Sequence, residues 1–106
     1  MKVVVNGAKF RQLELNDTYR FCTGTEGKRE KRNYIDIYIQ AEDGDVHCQK
    51  AFSESEREKF VRFCENAFNA EVVSMVLDLE IGDEYFHSLI SYTALENGKT
   101  VEVFLP

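Results

Sequence analysis

Ser53-Glu54-Ser55-Glu56-Arg57-Glu58-Lys59-Phe60-Val61-Arg62-Phe63-Cys64-Glu65-Asn66-Ala67-Phe68-Asn69 carries the clearest helical period in this chain. Ser53 and Glu56 stand at capping-box spacing: the hydroxyl accepts from the N–H three residues on, and the Glu side chain reaches back. Glu54 and Glu56 suit the positive start of a helix. Phe60, Phe63, Cys64, Ala67 and Phe68 recur at i, i+3, i+4, i+7 and i+8, which predicts one buried stripe. Glu58 and Arg62 form a favourable i,i+4 pair on the wet face. Asn69 is a natural stop.

On both sides of this helix the period falls to two. Ile35, Ile37, Ile39 and Ala41 alternate with Tyr34, Asp36, Tyr38 and Gln40, and the first set is predicted to face the core. Val73, Met75, Leu77, Leu79 and Ile81 alternate with Val72, Ser74, Val76, Asp78 and Glu80 in the same way. Tyr19, Phe21 and Thr23 mark a shorter strand. Val46 to Phe52 is a weaker one, entered through the turn Glu42-Asp43-Gly44-Asp45. Val101, Val103 and Leu105 form the last. Asn6-Gly7 and Asn97-Gly98 both have β-type flanks and read as type I′ turns, in which both central residues take positive φ.

The segment Asp83 to Glu96 reads two ways. As a strand, Phe86, Ser88, Ile90, Tyr92 and Ala94 share a face. As a helix, Asp83 caps, and Phe86, Leu89, Ile90 and Thr93 pack. Its Ile, Tyr, Phe and Thr content and the following Asn97-Gly98 favour the strand. The predicted fold is α+β: a mostly antiparallel sheet of about six or seven strands, with one amphipathic helix over 53–69 packed on it. No break in composition divides the 106 residues, so a single domain over 1–106 is expected.

Hydrophobic content of 43% with 30% charged residues is ordinary for a soluble globular protein. Apolar runs such as Val3-Val4-Val5 and Met75-Val76-Leu77, none longer in the chain, are far too short for a membrane span. The first residues do not resemble a secretory signal. Cys22, Cys48 and Cys64 are odd in number and lack CxxC spacing, which suggests reduced thiols in a cytoplasmic protein rather than a disulfide framework.

Charge is distributed unevenly. From Phe63 to Pro106 eight acids stand against the single base Lys99, a net of −7, whereas Met1 to Arg62 carries twelve bases and eleven acids, a net of +1, and these add to the total of −6. Such asymmetry informs on partners. Asp78, Glu80, Asp83 and Glu84 fall at a strand end and turn, where an array of carboxylates imitates the phosphates of a duplex and meets a basic surface. Tyr85 and Tyr92 add aromatic area of the kind that interfaces use. The expected function is therefore that of a small acidic interaction protein binding a macromolecule, most concretely a protein with a basic surface. By analogy of class alone, acidic α+β proteins of phages and mobile elements, CRISPR inhibitors among them, occupy the basic groove of a nucleic-acid enzyme in this way.

A second reading rests on Lys28, Arg29, Lys31 and Arg32, which cluster in a loop between aromatic strands. With Tyr34 and Tyr38 they would serve single-stranded nucleic-acid binding, with bases stacking on rings and phosphates meeting cations, and the placement of this loop before the helix-containing half is OB-like in topology alone. Asp36, between the two tyrosines, opposes this.

Catalysis has little behind it. His47 and Cys48 are adjacent, and neighbours on a strand point to opposite faces, so they do not form a nucleophile–base pair. No GxSxG, P-loop, GxGxxG or HExxH pattern occurs. Asp43, Asp45 and His47 surround Gly44, but the rest of a calcium loop is absent and a plain turn is the simpler reading. No cofactor and no metal are expected.

Overall fold

A computed structural model of the protein describes residues 1–21, 29–80 and 87–106, with side chains except over 18–21 and 29–31. Among the described residues, seven strands and one helix run in the order β1 (Lys2–Asn6), β2 (Lys9–Phe21), β3 (Arg29–Ala41), β4 (Gly44–Phe52), α1 (Arg57–Asn69), β5 (Glu71–Asp78), β6 (Ser88–Glu96) and β7 (Lys99–Phe104). A 3₁₀ turn, Glu54–Glu56, leads into α1. The α+β class, the strand number and the position of the helix are as the sequence predicts. The strands divide into two antiparallel sheets, β1-β5-β6-β7 and β2-β3-β4.

The helix starts as its capping residues dictate. The Glu56 carboxylate accepts from the Ser53 backbone N–H and hydroxyl, each at 2.9 Å. Arg57 then ties this end to the three-stranded sheet, donating to Asp17 at 2.8 Å and to Asn33 at 3.0 Å while lying over the Phe52 ring. Glu58 and Arg62 pair at 2.6 Å. The helix ends at Asn69, whose side-chain amide donates to the Glu65 carbonyl at 2.9 Å. Phe60, Phe63 and Ala67 are buried and Cys64 half-buried, but Phe68 is 59% exposed. At about 100° per residue, Phe68 lies some 140° around the helix from Phe63, outside the sector facing the sheets.

Three bulges place the core. A register shift between Phe10 and Gln12 lets Phe10, Leu13 and Leu15 all pair with core-facing Ile39, Ile37 and Ile35. A second, between Val72 and Ser74, turns Val72 inward with Met75 and Leu77, whereas strict alternation predicts it outward. A third, between Val76 and Leu77, steps over Ile90, so Leu89 and Tyr92 both face the core and Ile90 is only half-buried. Each extra residue flips the parity of the strand. The core forms where β2 meets β5 and β4 meets β6. Phe10, Phe63 and Tyr92 meet edge to face with centroids 5.4–6.5 Å apart, and Phe52 stacks on Phe60 at 4.6 Å.

The two Asn-Gly pairs differ. Asn97 and Gly98 have φ of 52° and 77° and close the β6–β7 hairpin, as a type I′ turn requires. At the other pair only Gly7 has positive φ. Here β1 pairs with β5 and β2 with β3, so Asn6-Gly7 is a crossover between sheets and not a hairpin. The Gly7 N–H donates to the Val73 carbonyl at 2.8 Å. Among the described residues no helix is long and apolar enough to cross a membrane.

Candidate functional site

The solvent-side face of β2-β3-β4 holds a polar cluster centred on a buried carboxylate. β3 is the middle strand, with Glu14 and Gln49 flanking Asp36 and with Gln12 and His47 flanking Tyr38. Side chains from both neighbours close over it, and Asp36 is only 6% exposed. It accepts from Asn16 Nδ2 at 2.5 Å, His47 Nε2 at 2.8 Å and Gln49 Nε2 at 2.9 Å. Burial alone pushes a carboxyl pKa up, but the bonds from Asn16, Gln49 and His47 outweigh it and hold Asp36 below its ordinary value. Glu14 accepts from Gln12 and from Asn16.

His47 stacks flat on Tyr38, centroids 4.5 Å apart at 2°. Beside them a shallow cleft of 280 Å³ is lined by Arg11, Gln12, Tyr38, Asp45, Val46 and His47, with Arg11 and Asp45 paired at 2.5 Å. Cys48 lies on the opposite face, 1% exposed, its thiol pushed by burial up to about 12. His47 and Cys48 therefore do not meet. Among the described residues, no group of three or more His, Cys, Asp and Glu is arranged to hold a metal ion.

The cluster bears on stability with a definite sign. Asp36 has a folded pKa below the unfolded value of about 3.9, so its stabilisation is present above pH ~4 and is lost as pH falls through the folded pKa. Asp36→Ala is expected to cost about 1.5–3 kcal/mol at pH 7, the range for hydrogen bonds to a charged group. In urea titrations the gap between wild type and variant should narrow at pH 3. A gap independent of pH would mean that the carboxylate charge is not what the cluster holds.

The acidic positions separate along the sheet. Glu71 and Asp78 begin and end β5, which places them about 23 Å apart at ~3.3 Å per residue. At one end Asp78 is half-exposed and pairs with the Met1 amino group at 2.8 Å, and Glu80 is exposed. Asp83, Glu84 and Tyr85 lie outside the described residues. Tyr92 corrects the expectation of a surface tyrosine: it is 2% exposed, because the bulge at Ile90 turns it into the core. At the other end, Glu71 and Glu96 rim a groove of 590 Å³ between α1 and the β6–β7 hairpin. Tyr92, Ala94 and Val103 line it, together with Leu95 and Val101, each 39% exposed.

The basic alternative is only partly described. Lys28 lies outside the described residues, as do the side chains of Arg29 and Lys31, while Arg32 is exposed. Tyr34 is 8% exposed and Tyr38 has one ring face covered by His47, so neither is the open stacking platform that reading expects.

Sequence reasoning missed Asn16, His47 and Gln49 as partners of Asp36, and Glu14 as its neighbour across the strand. The polar alternation on β2 and β4 is visible in the chain, but which residues oppose Asp36 depends on strand register. It also missed the groove, whose two sides join sequence-distant elements. No family model, no curated protein and no solved structure matches the chain.

Proposed function

We propose that this protein is a binding protein whose acidic surface docks a positively charged surface of another protein. One contrast carries the reading. Arg11, Arg57 and Arg62 are each turned onto a carboxylate of the same chain. Glu65, Glu71, Glu80 and Glu96 are exposed and enter none of the described ion pairs. Exposed Lys2, Lys9, Lys59 and Lys99 also enter none of the described ion pairs, but the net charge of −6 keeps acids in excess, and such an excess steers a basic partner. In its sharpest form the partner is a nucleic-acid enzyme, with the carboxylates standing where phosphates bind.

The test is capture from a nuclease-treated extract of the native cell. Wild type is compared with a variant bearing Lys at positions 65, 71, 80 and 96. The wild type should retain basic proteins, and the variant should lose them at low salt. Equal capture by both would reject the acidic surface. Firm retention of the wild type on heparin, despite its net charge of −6, would instead favour the nucleic-acid alternative.

A further inference from the structure

Each sheet has two edge strands, and an edge offers a row of unpaired backbone groups to any other strand. Three of the four carry features that discourage such pairing. β2 has the bulge at Arg11. β4 turns Lys50 toward the core side, where its ammonium meets the Pro106 carbonyl at 2.7 Å. β1 has five residues against six in β7, and so offers the shorter row of free groups. β7 pairs with β6 without a shift, and its core-side positions past Lys99 are Val101 and Val103. Val101 and Phe104 are 39% and 60% exposed. Its one carboxylate, Glu102, is drawn back over the sheet by the Ser91 hydroxyl, which donates to it at 2.8 Å.

The direction of the free backbone groups follows from one bond. Leu105 N–H donates to the Ile90 carbonyl at 3.0 Å. In an antiparallel pair such bonds alternate, so Val103 and Val101 also face β6. The N–H and C=O groups of Thr100, Glu102 and Phe104 then point away from it. No described strand lies beyond them.

We propose that β7 pairs antiparallel with β7 of a second copy, joining two four-stranded sheets into one about a two-fold axis at Val103. The register is selected by the side chains. An axis at Glu102 sets two carboxylates directly opposite, which is unfavourable. An axis at Val101 brings Lys99 against Val103 on the core side. An axis at Val103 sets Glu102 opposite Phe104, and on the core side Val103 meets Val103 and Val101 meets Leu105. That face is wholly apolar and continues the groove lining. Glu102 and Phe104 then exchange their free backbone bonds with Phe104 and Glu102 of the second copy.

This pairing is independent of the proposed docking of a basic partner, and salt separates the two. Each copy carries −6, so screening strengthens self-association as salt rises, whereas it weakens docking of a basic protein. Sedimentation equilibrium of the full chain should show a concentration-dependent species of twice the 12.3 kDa chain mass. Glu102→Pro removes an outward N–H that the β6 ladder does not use, a position where an edge strand tolerates proline. The variant should be a monomer with a cooperative melt. Val103→Cys gives an independent check that keeps the strand intact. A non-hydrogen-bonded pair has Cα atoms ~4.5 Å apart, within disulfide reach. On a Cys22→Ser, Cys64→Ser background, mild oxidation should link Val103→Cys chains and leave Val101→Cys chains unlinked. Monomer alone up to about 1 mM, the weak end of specific association, would overturn the proposal. So would a dimer that persists in Glu102→Pro, or cross-linking at position 101 in preference to 103.

Discussion

Phe63→Ala is expected to lower the unfolding free energy by about 3–5 kcal/mol, the range for truncating a buried aromatic ring. Phe63 is 4% exposed and meets Phe10 and Tyr92 edge to face, at 6.5 and 5.7 Å. It therefore joins the helix to β2 and β6 at once, and its removal leaves a cavity that two sheets border. Rigid neighbours close such a cavity poorly, so the loss belongs in the upper part of the range. The control is Phe68→Ala, one residue beyond Ala67 on the same helix. Phe68 is 59% exposed, and its truncation should fall within about 0.5 kcal/mol of wild type. Urea denaturation of the two variants side by side measures the contrast. Comparable losses in both would mean that α1 presents a different face.

Tyr92→Ala is the second large effect, and it separates a core role from a surface one. A tyrosine at an interface is removed at little cost to folding and considerable cost to binding. Tyr92 is 2% exposed and meets Phe10 at 5.4 Å and Phe63 at 5.7 Å. Truncation should cost about 3–5 kcal/mol, in line with other buried aromatics. A domain of this size then loses at least about 12 °C in Tm. A variant that melts like wild type would return Tyr92 to the surface and contradict the bulge at Ile90. Because Phe63 and Tyr92 touch, the double variant should lose less than the sum of the two.

The helix was legible in the chain because what forms it is local. Ser53 and Glu56 are three residues apart, Glu58 and Arg62 four, and these contacts appear as expected. The same holds for the β6–β7 hairpin, since Asn97-Gly98 carries its turn preference within two residues. The three isoleucines of β3 were equally legible, each fully buried, because an uninterrupted strand repeats every two residues. Legibility failed where one extra residue breaks that repeat. The bulge at Arg11 hides most of β2, so only its far end, around Tyr19 and Phe21, reads as strand. The bulge at Ile90 reverses the expected side of Ile90 itself.

For the candidate surfaces, the amino-acid sequence by itself determined the amount of charge and its skew toward the last forty-four residues. It also determined the α+β class, the helix and its caps, and the separation of His47 from Cys48. Tertiary structure alone decided that the strands form two sheets, that Asn6-Gly7 crosses between them and that Phe68 falls outside the buried sector. It alone surrounded Asp36 with Asn16, His47 and Gln49, left β7 as an open edge, and set Glu71 and Asp78 at opposite ends of one strand. The physical reason is range. Caps, turns and periodicity act over a few bonds of the chain. Val5 opposite Met75, or Asn16 against Asp36, is chosen by burial and register among segments that the chain itself keeps far apart.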